Sequence, residues 1–105
     1  MSQDIINELG AVLESRKGAD PKLSYVASLY SKGLDHILHK LDEECEETIH
    51  AARSETRSAL IHEVADLWFH SLVLLAAKDI NPDEVLKELE HRAGTSGHAE
   101  KASRG

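Results

Sequence analysis

Two acidic clusters have the residue types and the spacing that divalent-cation chemistry requires. The first reads EExxE and the second ExxD, and they consist of Glu43, Glu44 and Glu47, and of Glu63 and Asp66. Because residues three or four apart share one face of a helix, the members of each cluster can project together. If the two helices pack antiparallel, the clusters meet, and carboxylates about 5 Å apart repel by roughly 3 kcal/mol at an effective dielectric near 20. The pattern therefore predicts a cation between them, as in a site for phosphate chemistry.

The ligands available to this cation are all oxygen atoms. Oxygen ligands favour magnesium, manganese or calcium over zinc, so we expect Mg²⁺, with Mn²⁺ able to replace it. Zinc is a weaker interpretation of the same residues. His62-Glu63 resembles the start of an HExxH motif, but residue 66 is aspartate, so the second histidine ligand is missing. The histidines of the amphipathic helices are interpreted as surface residues: His36, His39, His50 and His62.

The elements that must position these carboxylates are helices, and we predict an all-α fold, a small bundle of about five. No segment alternates as a strand does, and each of the two prolines follows a residue typical of a helix N-cap, in Asp20-Pro21 and Asn81-Pro82. The predicted helices span residues 2–16, 21–31, 34–53, 56–78 and 82–92. The chain of 105 residues is long enough for one domain. We expect that domain at 1–92 and a flexible polar tail at 93–105.

The third helix has an apolar stripe and a separate acidic face. At about 100° per residue, the stripe consists of Leu34, Ile37, Leu38, Leu41, Cys45, Ile49 and Ala52. Glu43, Glu44 and Glu47 lie away from its centre. Glu46 falls on the other flank, and we interpret it as solvated surface despite its place in the acidic run.

The fourth helix is apolar on nearly every side between residues 59 and 77, which is typical of a helix buried all round. Glu63, Asp66 and His70 form a polar seam inside it, and carboxylates are almost never buried without a partner. We expect His70 to hydrogen-bond the Asp66 carboxylate and Trp68 to pack in the core. Five short helices cannot easily cover such an element, so we expect a homodimer with helices three and four near a shared core.

Composition limits the partners and the compartment. The net charge of −7 argues against nucleic acid as a partner, since no broad basic face is available. The single cysteine, Cys45, excludes an internal disulfide and fits a reducing compartment. The amino-terminal segment has no apolar signal-peptide core, and the apolar stretch at 72–77 is too short to cross a bilayer. We therefore expect a cytoplasmic protein without a membrane partner.

The pattern KxxEExxE…ExxD, which begins at Lys40 and ends at Asp66, resembles the all-α nucleotide pyrophosphohydrolases of the MazG-like superfamily. Three further segments, at 15–29, 65–76 and 100–104, resemble the phosphoribosyl-ATP pyrophosphatase family. This resemblance implies a helical, dimeric enzyme of the second step of histidine biosynthesis. Such an enzyme uses Mg²⁺ to hydrolyse phosphoribosyl-ATP between its α and β phosphates, giving phosphoribosyl-AMP and pyrophosphate. The cyclohydrolase of the next step, fused to this domain in many relatives, is then expected on a separate chain.

Roles for the individual residues follow from this chemistry. The expected metal ligands are Glu44, Glu47, Glu63 and Asp66. Glu43 is the candidate for orienting or activating the attacking water, and Lys40, one turn earlier, for neutralising phosphate charge. The remaining phosphates of the nucleotide are expected to contact basic residues among Arg16, Lys17, Lys32, Lys101 and Arg104.

Two other functions are compatible with the same residues. One is a house-cleaning pyrophosphohydrolase of the same superfamily, acting on free or damaged nucleoside triphosphates. The other is a non-enzymatic helical dimer whose acidic stripe binds calcium or a basic partner. The polar seam inside an apolar helix favours an enzyme, since a surface-binding module does not need it.

Overall fold

The computed structural model describes residues 2–94, with their side chains from Ile5 onward. This part of the chain contains five helices and no strand, so the predicted all-α fold is confirmed. The helices are α1 (Ser2–Ser15), α2 (Tyr25–Lys32), α3 (Leu34–Ser54), α4 (Arg57–Ala77) and α5 (Pro82–Ala93). Most of the predicted tail, including Lys101 and Arg104, lies outside the described residues.

The start of α2 differs from the prediction, which placed it at residue 21. The Asp20 carboxylate accepts a hydrogen bond from the Lys22 amide at 2.9 Å, and the Asp20 carbonyl accepts one from the Ser24 amide at 3.1 Å. These bonds close a single turn that does not continue as a helix. The actual N-cap is Ser24, whose hydroxyl accepts from the Ala27 amide at 3.1 Å. Asn81, by contrast, caps α5 as predicted, accepting from the Asp83 amide at 2.8 Å.

One glycine joins α2 to α3. Gly33 has φ +97° and is both the C-cap of α2 and the N-cap of α3. Its amide donates to the carbonyls of Leu29 and Tyr30, each at 3.2 Å. Because side chains rarely tolerate this φ, glycine allows the chain to turn here without an intervening loop.

The helices α3 and α4 form an antiparallel hairpin, which is the main packing pair of the fold. Only Glu55 and Thr56 separate them, and the Thr56 hydroxyl caps α4 by accepting from the Ala59 amide at 3.1 Å. Further along, the Thr48 hydroxyl lies 2.8 Å from the Glu44 carbonyl and 3.3 Å from the Glu63 carbonyl. Residues late in α3 thus face residues early in α4, and this register brings the two acidic clusters together.

The apolar core lies at the other end of this hairpin. It combines residues from α1, α2, the start of α3 and the second half of α4: Leu13, Val26, Leu29, Ile37, Leu72, Val73 and Ala76. The helix α1 packs against α4 and α5, and α2 packs against α3. At the contact between α1 and α5, a Cβ atom placed on Gly10 would lie 2.8 Å from Pro82 Cγ, so the close approach requires glycine. The core therefore anchors one half of the hairpin while the other half carries the carboxylates.

Two apolar surfaces stay uncovered in a single chain. Of the apolar stripe on α3, Ile37 is buried, whereas Leu34, Leu38, Cys45, Ile49 and Ala52 are exposed. The buried face of α3 is instead the one that carries Ile37, Glu44 and Ala51. Trp68 was predicted in the core but is 61% exposed. Helical periodicity finds the apolar face but does not show which neighbour covers it, and no described helix of the same chain covers these residues.

By length and composition α4 also meets the requirements of a membrane span. It has 21 residues, an 18-residue window of mean hydropathy 1.4, and only 22% of that window buried. The prediction from sequence had considered only the shorter stretch at 72–77. Core helices of soluble proteins have the same length and hydropathy, so this property alone is weak evidence for a membrane.

Candidate metal centre

Three carboxylates meet between α3 and α4. Oxygen atoms of Glu44, Glu63 and Asp66 all lie within 4.8 Å of one another. The hairpin therefore brings together one member of the EExxE cluster and both members of the ExxD cluster. A set of oxygen atoms at this spacing matches the ligands that Mg²⁺ and other hard cations prefer.

Two of the carboxylate oxygens are buried without a hydrogen-bond partner. They are Oε2 of Glu44, whose residue is only 6% exposed, and Oε1 of Glu63. Burial raises the pKa of Glu44, and repulsion from the Glu47 carboxylate adds to this shift. Burial of the carboxyl and repulsion from Glu47 likewise raise the pKa of Glu63. Since unpaired buried carboxylates are costly, both oxygen atoms fit a site built to hold a cation.

Glu47 and Glu43 lie at the edge of this group. Glu47 is exposed, and its carboxylate interacts with those of both Glu44 and Glu63. Glu43 Oε1 lies 3.4 Å from His39 Nε2 and 3.5 Å from Lys40 Nζ. Both glutamates line an open acidic cleft of about 400 Å³, together with Glu46, His50, Glu55 and Glu63. Glu63 belongs to both the central group and this cleft, so Glu43 and Glu47 lie at the mouth beside it.

Of the predicted phosphate-binding cations within the described residues, only Lys40 contacts a carboxylate of the two clusters. Burial lowers the pKa of Lys40, but the neighbouring Tyr25 and Glu43 outweigh this effect and leave the pKa raised, so its ammonium group stays charged. Arg16, Lys17 and Lys32 are all exposed, and Lys32 belongs to the last turn of α2.

Lys17 is held at the far end of α4 by two carboxylates. Its Nζ lies 2.8 Å from Asp79 Oδ1 and 3.1 Å from Glu14 Oε2. Ala77, the last residue of α4, lies about 16 Å beyond Asp66 along the helix axis at 1.5 Å per residue, and Asp79 follows just after the helix end. Within one chain, the structure therefore does not bring Lys17, or the adjacent Arg16, to the carboxylate group.

His70 has a different partner from the one predicted. Its Nδ1 lies 2.8 Å from the main-chain carbonyl oxygen of Asp66, not from the carboxylate. The Asp66 carboxylate lies instead 3.3 Å from His62 Nε2 at the surface. His70 is 5% exposed, and its Nε2 lies 2.9 Å from the hydroxyl of Tyr25. The prediction was wrong because the His70 ring turns back along α4 to the backbone of the preceding turn. The i, i+4 spacing alone does not show whether His70 contacts the carbonyl or the carboxylate of Asp66.

Sequence reasoning missed two residues beside the centre. Thr48 links the backbones of α3 and α4 next to Glu44 and Glu63, and its position one turn after Glu44 is a signal that could have revealed it. Tyr25 belongs to α2, a separate helix, and its hydroxyl interacts electrostatically with Lys40, Glu44 and Asp66. No periodicity within α2 predicts that contact.

The chain was also compared with models of known protein families. A family model described as phosphoribosyl-ATP pyrophosphohydrolase matches residues 6–93. The matched range includes α2 to α5 and α1 from Ile6 onward, and it contains every carboxylate of both acidic clusters.

Proposed function

The chain belongs to the phosphoribosyl-ATP pyrophosphohydrolase family, and we propose that it hydrolyses phosphoribosyl-ATP with the help of Mg²⁺ at the centre between α3 and α4. Membership of the family makes the chain a hydrolase of histidine biosynthesis. We infer that the bond broken joins the α and β phosphates, so that the products are phosphoribosyl-AMP and pyrophosphate.

The observation that carries the metal proposal is the pair of buried, unpartnered oxygens on Glu44 and Glu63. With Asp66 they supply the central ligands, and Glu47 at the mouth completes the set named from the sequence. When bound, Mg²⁺ would withdraw charge from the phosphate oxygens and from the leaving pyrophosphate. Mn²⁺ takes the same oxygen ligands and is expected to replace it.

Two residues of α3 act on the substrate in this proposal. The charged Lys40 neutralises phosphate oxygens as a point cation. Glu43, held at the mouth of the cleft by Lys40 and His39, orients the attacking water and accepts its proton. The Glu43 side chain is 39% exposed, so solvent reaches it without a change of conformation.

The test is Mg²⁺-dependent release of pyrophosphate from phosphoribosyl-ATP. Removing one ligand charge in Glu63→Gln or Asp66→Asn should lower turnover by about 100-fold or more, since even residues that only support metal ligands cost about 10–100-fold. Asp42→Asn removes the same charge from an exposed position of α3 and should leave turnover unchanged. Full activity of both ligand variants would refute the proposed centre.

The substrate is tested with the same protein against a panel of nucleoside triphosphates. Preference for phosphoribosyl-ATP supports the proposed reaction. Preference for a free or damaged nucleotide would instead assign the chain to the house-cleaning activity, while leaving the metal chemistry unchanged.

We propose that the protein works as a homodimer. The uncovered apolar surface is extensive: besides Trp68, residues of α3 and α4 such as Leu34, Leu38, Ile49 and Ile61 are 40–60% exposed. Exposed large apolar side chains in such number on two neighbouring helices favour a protein interface. Sedimentation as a stable monomer would contradict the dimer. We further propose a cytoplasmic enzyme without a nucleic-acid or membrane partner.

A further inference from the structure

Two hydrogen bonds run in series from α2 to the turn of α4 that carries Asp66. His70 Nδ1 lies 2.8 Å from the Asp66 carbonyl oxygen, and His70 Nε2 lies 2.9 Å from the Tyr25 hydroxyl. A carbonyl oxygen can only accept, so Nδ1 must carry the hydrogen. In the neutral ring, Nε2 is then an acceptor and the Tyr25 hydroxyl must donate to it. The chain of bonds therefore has one direction, from Tyr25 through His70 to Asp66.

Ring packing fixes the histidine in this orientation. The ring of Tyr25 meets that of His70 edge to face, with centroids 5.9 Å apart and planes at 79°. Phe69 makes the same kind of contact at 5.4 Å and 79°. Edge-to-face packing is a favoured arrangement of aromatic rings, and His70 is 5% exposed. The histidine therefore has little freedom to exchange its two partners.

Tyr25 brings the first turn of α2 within electrostatic reach of the carboxylates. It is the first residue of α2, directly after the Ser24 cap, and its side chain interacts electrostatically with Glu43, Glu44 and Asp66. Its residue is 52% exposed, although its hydroxyl is hydrogen-bonded. Burial of the hydroxyl raises the pKa of Tyr25, so it remains protonated and able to donate at neutral pH. Tyr25 is thus the contact through which α2 reaches the turn of α4 that bears Asp66.

We propose that Tyr25 and His70 are positioning residues of the metal centre, and that their two hydrogen bonds hold the Asp66 turn of α4 at the distance from Glu44 that a divalent cation requires. This inference rests on the metal centre of the proposed function. The pair acts through Asp66, as residues behind metal ligands commonly do, and their removal typically lowers metal affinity by about 10–100-fold. Because Asp66 is reached through its backbone, we expect about tenfold, the low end of that range.

The helix α2 offers a matched pair of variants. Tyr25→Phe removes the hydroxyl that bonds His70 and keeps the ring. Tyr30→Phe removes a hydroxyl from the same helix that donates to the Leu13 carbonyl at 2.8 Å and ties α2 to α1. Each variant loses one tyrosine hydrogen bond, but only Tyr25 is linked to Asp66. A purely structural role would therefore make the two variants behave alike.

The experiment is a titration of the full-length protein with Mn²⁺ in the absence of nucleotide, with free Mn²⁺ followed by electron paramagnetic resonance. Tyr25→Phe should raise the Kd for Mn²⁺ about tenfold, whereas Tyr30→Phe should leave it within twofold of the wild type while still lowering Tm. Equal Kd values for the two variants overturn the inference and leave the metal centre intact. A wild-type protein that binds no Mn²⁺ overturns the metal centre, and the inference with it.

A double-mutant cycle tests whether the effect passes through His70. In the His70→Leu background, where both hydrogen bonds are already lost, Tyr25→Phe should change the Kd for Mn²⁺ less than twofold, because residues that act in series are not additive. A tenfold effect that persists in this background would refute the route through His70. If His70→Leu does not fold, the comparison of Tyr25→Phe with Tyr30→Phe decides alone.

Discussion

The unpaired carboxylates make a prediction about stability that is separate from catalysis. Glu44 is 6% exposed and lies within 4.8 Å of two other carboxylates. At that distance a full neighbouring charge such as that of Asp66 repels it by about 3.5 kcal/mol at an effective dielectric near 20. Glu44→Gln removes this repulsion, and the new amide can donate hydrogen bonds to the carboxylates that remain. Without metal, the variant should therefore be more stable than the wild type, although we expect it to be inactive.

The expected gain in stability of Glu44→Gln is smaller than the full Coulomb repulsion. The raised pKa of Glu44 means that its carboxyl group takes up a proton more readily, which already relieves part of the repulsion. We expect a gain of about 1–3 kcal/mol, and about 4–8 °C in Tm for each kcal/mol in a domain of this size. The assay is thermal unfolding followed by circular dichroism at pH 7 in EDTA, with Asp42→Asn as the control for loss of an exposed charge. A Tm of Glu44→Gln equal to or below that of the wild type would refute the reasoning.

The stability of the protein without metal should also depend on pH, and the raised pKa of Glu44 determines the direction of this dependence. Because the folded-state pKa of Glu44 lies above its ordinary value of 4.5, the folded protein binds more protons than the unfolded chain between the two values. Stability without metal should therefore be lost as the pH rises from about 4.5 through the raised pKa. In Glu44→Gln this loss should be smaller, and an unchanged pH profile would contradict the assignment to Glu44.

Three further predictions concern the metal, the packing and the assembly. Added Mg²⁺ should raise the Tm of the wild type, by an amount equivalent to about 2.7 kcal/mol at 100 times its Kd, and should not raise that of Glu44→Gln; equal shifts would argue against the site. Gly10→Ala should lower Tm, because its Cβ would lie 2.8 Å from Pro82 Cγ and overpacking costs about 1–3 kcal/mol. Gly18→Ala, with no atom within 4 Å of the added Cβ, is its control. Trp68→Glu should convert the proposed dimer into a monomer in sedimentation experiments, and a dimeric variant would place the interface elsewhere.

The sequence was a good guide to what is periodic and local. The α3–α4 hairpin, the Asn81 cap and the meeting of Glu44 with Glu63 and Asp66 follow from spacing on consecutive helices. The start of α2 was missed because Asp20-Pro21 and Ser24 both carry capping signals. Only the continuation of the backbone distinguishes a single turn from a helix.

Helical periodicity in the sequence does not predict contacts between side chains of separate helices. The hydrogen bond between Tyr25 and His70 joins residues far apart in the chain, and no pattern within α2 or α4 encodes it. The exposure of Trp68 has a similar cause, since periodicity shows that a face is apolar but does not identify what covers it. Glu63 nevertheless joins the two groups, since it lies with Glu44 and Asp66 at the centre and with Glu43 and Glu47 in the cleft. The roles of these carboxylates as ligands remain predictions for the variants above.

The two-residue connection between α3 and α4 also bears on how the molecule folds. Elements close in sequence meet early, because little chain entropy is lost when a short loop closes. The like charges of Glu44, Glu63 and Asp66 thus approach one another while the hairpin forms, and their repulsion opposes an early step of folding. A divalent ion that relieves this repulsion is expected to speed refolding as well as to slow unfolding.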